Sequence, residues 1–187
     1  MLFLLGGLLY TLSMVGQTMP KGLKETSGLI TIGFTNTESA PNTFTQARTD
    51  LQLNVLDREV FVIYGLSMDI SAPDVAGAGV NSAAFASVST TSRTSVGNLS
   101  DSNVVGTGAN QIQGGVADGV GFSYSSADAP ATQLEYLGII ATNDFYVQIV
   151  GNNNIAAKAV SGRIYGVRAT ASADIFAALT QSELLSA

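Results

Sequence analysis

From Met1 to Met19 the chain reads MLFLLGGLLYTLSMVGQTM, without a single charge, and Lys21, Lys24 and Glu25 arrive only after Pro20. Something must keep such a segment from water: a bilayer, its own domain or a neighbouring subunit. As a helix it would be about 28 Å long, against a hydrocarbon core of about 30 Å, so a membrane span sits at the limit of its reach. Gly6, Gly7 and Gly16 weaken a helix in water but are tolerated in membrane helices. A secretory leader opens on a basic region, and no Lys or Arg precedes this run. If the segment inserted, Lys21 and Lys24 would favour a cytoplasmic side for the rest of the chain. An assembly arm is therefore the expected role. Its contact residues would be Leu2, Phe3, Leu4, Leu5, Leu8, Leu9, Tyr10, Leu12, Met14 and Val15. Lipid contact through the same side chains, and a cleaved leader, are the alternatives.

Beyond the arm, composition limits the chemistry. The 187 residues suffice for one domain with appendages. Only 12% are charged, about half the share of about 25% in ordinary globular domains, so Ser, Thr, Asn and Gly cover much of the surface. Such a surface suits burial in an assembly better than life as a free monomer. A net charge of −6 with eight scattered basic residues argues against direct nucleic-acid binding, which needs clustered cations. Cysteine and histidine are both absent, which removes disulfides, thiolate chemistry, the commonest metal ligands and the commonest general base.

Short apolar runs separated by turn-formers begin near Gly28. GLITIGF (28–34) reads as a strand and 35–43 as the loop after it. TDLQLNV alternates, placing Leu51, Leu53 and Val55 on one face. In REVFVIYGLSMDI (58–70) Val60, Val62, Tyr64, Leu66, Met68 and Ile70 face one way, with Phe61 and Ile63 opposite. Pro73 ends that strand before a Gly-rich loop, and 83–91 is a run of small residues. The stretch 92–115 reads as a long polar excursion with one short strand at Val104 and Val105. VGFSYS puts Val120, Phe122 and Tyr124 on one face. LEYLGIIA (134–141) and FYVQIV (145–150) come next, and GNNN (151–154) supplies positive-φ turn residues. In AVSGRIYGVRA, Tyr165 and Val167 share one face and Val160 and Ile164 the other. SADIFAALTQSELLS predicts a helix with Ser172 as N-cap, Asp174 in the first turn and an apolar stripe of Ile175, Phe176 and Leu179.

Eight or nine such strands predict an all-β fold, an antiparallel two-sheet sandwich of jelly-roll type, with an immunoglobulin-like sandwich as the alternative. The expected division is 1–28 for the arm or membrane-contacting segment, 29–171 for the sandwich and 172–187 for the helix.

No motif for catalysis or a cofactor emerges. Lys158 near Ser161 is the one Ser–Lys pairing, and it is better explained as a strand-edge lysine that deters wrong pairing. DSNVVGTGANQI (101–112) has Val105 and Ile112 where an EF-hand needs oxygen ligands. GTGANQ lacks the third glycine of a dinucleotide fingerprint. Glu59, Glu135 and Asp144 fall at strand or turn edges rather than as a catalytic pair. Asn98-Leu99-Ser100 is a glycosylation sequon, meaningful only in a secreted chain. A Lys–Asn isopeptide bond would have to join Lys158 to the run Asn152–Asn154, too near in sequence to bridge strands. The expectation is no enzyme, no catalytic residue, no cofactor and no metal.

The block 134–183, with LDREVFVIYGLSMDI, resembles a coat protein of a tailless icosahedral virus of the single jelly-roll kind in strand rhythm, loop composition and closing helix. That resemblance implies a structural capsid subunit, a viral protein found in the virion, that self-assembles into a shell with copies of itself and other virion proteins. The uncharged arm and acidic domain depart from coats that condense RNA, so an inner lipid layer or a separate basic protein would lie between shell and genome. A pilin-like subunit of a cell-surface filament, with the apolar segment in the filament core, is the alternative. A membrane-tethered binding module or enzyme is the third class.

Overall fold

The computed structural model describes residues 19–77, 79–114, 122–127 (backbone pairing only) and 135–185. The ten expected contact residues of the arm, and the Val120, Phe122 and Tyr124 face, lie outside the described residues. Among the described residues ten strands and one α-helix succeed one another in chain order: β1 (Leu23–Glu25), β2 (Ile30–Thr37), β3 (Thr45–Asp50), β4 (Glu59–Ile70), β5 (Ser82–Ser89), β6 (Val104–Gln113), β7 (Phe122–Ala127), β8 (Gly138–Ile140), β9 (Asp144–Asn152), β10 (Ala159–Ala171) and α1 (Ala173–Leu185).

They form two antiparallel sheets. Sheet A runs β10-β4-β8, with β2 and β1 sharing the other edge of β10, and sheet B runs β3-β9-β5-β6-β7. Both sheets contribute to one buried core. Phe34, Phe61, Ile63, Ile140, Val160 and Ile164 of sheet A meet Ala84, Ala86, Val88, Phe145, Val147 and Ile149 of sheet B. Phe34 and Phe145 touch edge to face with ring centres 6.0 Å apart, a geometry worth about 0.5–1.5 kcal/mol beyond the area it buries. Asn36 reaches across from β2 to donate to the carbonyls of Thr45 and Val147.

A second cluster lies on the outer face of sheet A, where Val60, Val62, Val167, Ala169 and Ala171 pack beneath Leu23 and the expected helical stripe of Ile175, Phe176 and Leu179. The helix thus covers its own domain. Leu23–Glu25, which the sequence groups with the arm, pair with Ala171–Ala169.

The alternation read from β4 is corrected. Its register shifts opposite Tyr165 and Gly166, so that Tyr64 is an extra, bulged residue. Val60, Val62 and Tyr64 therefore belong to the outer cluster, whereas Leu66, Met68 and Ile70 turn inward with Phe61 and Ile63.

TDLQLNV is corrected as well. β3 stops at Asp50, whose carboxylate takes the Gln52 N–H, and Gln52 adopts φ +52°. Leu51 and Leu53 are buried without being strand, and Val55 starts a 3-10 turn capped by Asn54. β2 runs to Thr37, past the expected start of its loop. β6 is a ten-residue strand rather than a short one, and the described part of the LEYLGIIA run is strand only over Gly138–Ile140. In the GNNN turn the positive φ belongs to Asn153, at +54°.

Candidate functional site

Three places collect the polar and charged side chains, and each is built by loops that a strand delivers to it. The first is the end of the molecule where the β2–β3, β4–β5 and β9–β10 loops meet. Glu38, 4% exposed, accepts N–H bonds from Gly151, Thr43 and Lys158. Asn154 is held by Ala83 O and Asn42, and its own carboxamide oxygen takes the Asp74 N–H. Asp74 receives Lys158 Nζ at 2.6 Å and the N–H groups of Ile155 and Ala156. The Lys158 bond, with the Ala156 N–H next, holds the Asp74 carboxyl at about 2, below its ordinary value of 3.8. Lys158 is 5% exposed, so the expected edge lysine is instead a buried staple, placed there because β10 begins beside Ser71 and the loop that carries Asp74.

The Ser–Lys reading fails on this geometry: Lys158 is engaged by Asp74, while Ser161 lies exposed on the outer face of sheet A. Asn153 and Asn154 donate their side-chain amides to the Asn81 and Ala83 carbonyls. Among the acids read as edge residues, Glu59 pairs with Arg168 at 3.2 Å and Asp144 with Arg48 at 2.6 Å. Among the described residues no group of acids is arranged to hold a metal ion.

The second place is the outer face of sheet B. Gln148, fully buried on β9, accepts from Ser87 and donates to Ser89 and Gln46. The loop 92–103 folds onto this row: Arg93 N–H bonds Gln46, Gly97 N–H bonds Ser87, and the Arg93 guanidinium grips Asn103 and Asp101 at 2.7 Å each. Gly97 is required here, because a Cβ would lie 2.3 Å from the Val104 side chain. Of the residues resembling a calcium loop, those from Val104 onward are strand β6, and Asp101 and Asn103 thus latch this lid through Arg93. Asn98 is exposed on it, its side-chain oxygen turned back to the Ser100 N–H and hydroxyl.

The third is the outer face of sheet A. Its Ala171 end lies under α1, whose Glu183 is 8% exposed and accepts the Ala141 and Thr142 N–H groups at 3.0 Å. Burial pushes the Glu183 carboxyl above its ordinary value, against the pull of those bonds, and Asp144 adds to the rise. The Ala159 end of the same face is an open groove of about 760 Å³. Glycines and short side chains line it, with Arg163, Asp69 and Tyr165 around them.

Sequence reasoning missed Glu183 and the groove. Glu183 could have been found as the carboxylate four residues past Leu179 on the helix's apolar stripe. The groove could have been found from Gly33, Ser67 and Ser161, outward positions on strands otherwise rich in β-branched residues.

No family model, characterised protein or solved structure matches the chain. Among the described residues no helix is long and apolar enough to cross a membrane.

Proposed function

We propose that this chain is a structural, non-enzymatic subunit: the single jelly-roll coat protein of a tailless icosahedral virus, closing into a shell with copies of itself. The observation that carries the reading is the strand pairing. With β1 and the additional β7 set aside, the first strand pairs with the last (β2·β10), the second with the seventh (β3·β9), the third with the sixth (β4·β8) and the fourth with the fifth (β5·β6). We read this pairing as one long antiparallel hairpin rolled up, in the manner of viral-capsid and other jelly rolls.

Three further features support a packing role over a ligand-binding one. The chain has no histidine or cysteine to build a metal or nucleophilic centre. The polar clusters described above bond to one another and to backbone, which makes them braces. The surface is poor in charge, as suits contact between copies. The apolar arm would supply contacts to neighbouring subunits or an inner lipid layer, and the acidic balance leaves the genome to another component.

Negative-stain microscopy of the purified full chain tests the proposal. Closed shells are expected. Helical filaments would refute it in favour of the pilin-like alternative, and a persistent monomer at high concentration would refute both.

A further inference from the structure

The direction of the chain before β1 identifies what covers the bare half of sheet A. Leu23 pairs with Ala171, at the end of the face beneath α1. Upstream, a turn closed by Leu23 N–H to the Pro20 carbonyl carries the chain over that face. Met19 joins the outer cluster and its sulfur accepts the Tyr64 hydroxyl at 3.1 Å. Tyr64 is the bulge residue, level with Tyr165 and Gly166, and Tyr165 lines the near end of the groove. Between Leu23 and Met19 the chain has therefore moved from the covered end towards the bare one. It reaches the groove's mouth with eighteen residues still upstream.

We propose that Ser13–Thr18 of the same chain lies in this groove. The segment SMVGQT is uncharged, and when extended it turns Val15 and Gln17 to one and the same face, towards the groove. The short side chains of Ser67 and Ser161 and the bare Gly33 leave room for a backbone to lie close to the sheet. From Tyr165 to Ser161 the groove runs about 13 Å at ~3.3 Å per residue, a distance six extended residues span. The consequence is directional. The more apolar part of the arm, Leu2 to Leu12, leaves the domain at the end that carries the β2–β3, β4–β5 and β9–β10 loops. Val75 and Ile155 are 79% and 82% exposed on those loops. That end of the subunit is the one that meets a neighbour or lipid.

The absence of cysteine makes a cross-linking test clean. The full chain carrying Gln17→Cys and Ser67→Cys is prepared in light and heavy isotopic forms, mixed, oxidised and digested for mass spectrometry. Val15→Cys with Ser161→Cys is the second pair, so that a folding defect in one leaves the other. Both groove positions are exposed. Gln17→Cys with Thr94→Cys, on the lid over sheet B, is the control. Links within one isotopic form, at more than tenfold the control yield, are expected. Links between light and heavy chains would overturn the proposal by placing the arm on a neighbour, and yields at the control level in both pairs would overturn it outright. Closed shells with no such link would overturn this inference while leaving the shell proposal standing.

Discussion

Gly166 is the position at which the β4 bulge can be tested directly. A Cβ added there would lie 2.3 Å from the Val62 carbonyl oxygen and 2.6 Å from the Phe61 ring, where ordinary contact begins at 3.4 Å. Relief requires a shift of about 1 Å by atoms that cannot move cheaply: Val62 and Phe61 are 0% and 1% exposed, and Gly166 is paired with Ile63 beside the bulge. Overpacking of this kind costs about 1–3 kcal/mol, and a backbone neighbour puts Gly166→Ala in the upper half of that range. Gly138→Ala is the internal control, since a Cβ there meets nothing within 4 Å, and the smaller unfolded-state entropy makes it neutral or stabilising by up to about 1 kcal/mol. Urea unfolding followed by circular dichroism reads both, and a loss of about 2 kcal/mol moves the midpoint by about 1 M at an m-value of about 2 kcal/mol/M. A Gly166→Ala midpoint equal to that of Gly138→Ala would show that the close passage of β10 over Phe61 is not a packing constraint.

Two further predictions concern pH. The folded Glu183 carboxyl titrates above its unfolded value of 4.5, so its protonated form stabilises the fold below that value and the contribution fades as pH rises through the folded pKa. Glu183→Gln, neutral throughout, should lack that decline, and identical pH slopes in urea unfolding between pH 4 and 7 would contradict the burial argument. Asp74 behaves oppositely: its lowered value contributes stability above 3.8 that is lost as pH falls through about 2. The amide shifts of Ile155 and Ala156, which bond its carboxylate, should titrate near 2 by NMR, and a midpoint near 3.8 would show that the Lys158 bond does not form.

The sequence disclosed most where burial obeys one rule along a whole element. The two faces of β10 were legible, because Val160 and Ile164 point to the inter-sheet core and Val167 to the helix. The stripe of Ile175, Phe176 and Leu179 was legible for the same reason. β4 misled because its bulge exchanges the faces midway while the apolar alternation runs on, so six residues seemed to share one surface. β6 was hidden because the positions paired with inward-facing Ala84, Ala86 and Val88 are Asn110, Gly108 and Gly106, which give no apolar signal. Leu51 and Leu53 alternated, yet their backbone is tied to Asn143 and Arg168 outside any ladder. The staple at Lys158 was illegible in principle, since its partner Asp74 comes from a loop 84 residues away that meets it only in the completed fold, whereas Arg93 is latched within its own loop, to Asp101 and Asn103. The arm remained the dominant feature of the sequence, and of it the structure describes the stretch from Met19 onward, with Leu23–Glu25 paired to β10.

The few cations this chain possesses lead to one more expectation. Of its eight Lys and Arg residues, Arg48, Arg93, Lys158 and Arg168 are engaged in ion pairs within the domain, and Arg93, Lys158 and Arg168 at the same time brace loops or strand ends. Little positive charge is left to meet the acidic surface of another copy. Under the shell proposal, association between copies would then come from apolar contact and neutral hydrogen bonds, which salt does not screen, rather than from complementary charge, which it does. Assembly of the full chain should accordingly change by less than about threefold between 0.05 and 0.5 M sodium chloride, and mutual repulsion of acidic copies makes any change an increase. Light scattering at fixed protein concentration measures this. Dissociation on adding salt would mean that the remaining cations, Lys21, Lys24, Arg58 and Arg163, form salt bridges between subunits, and the contact surfaces would then have to be sought around those four residues instead of at the apolar run 1–19.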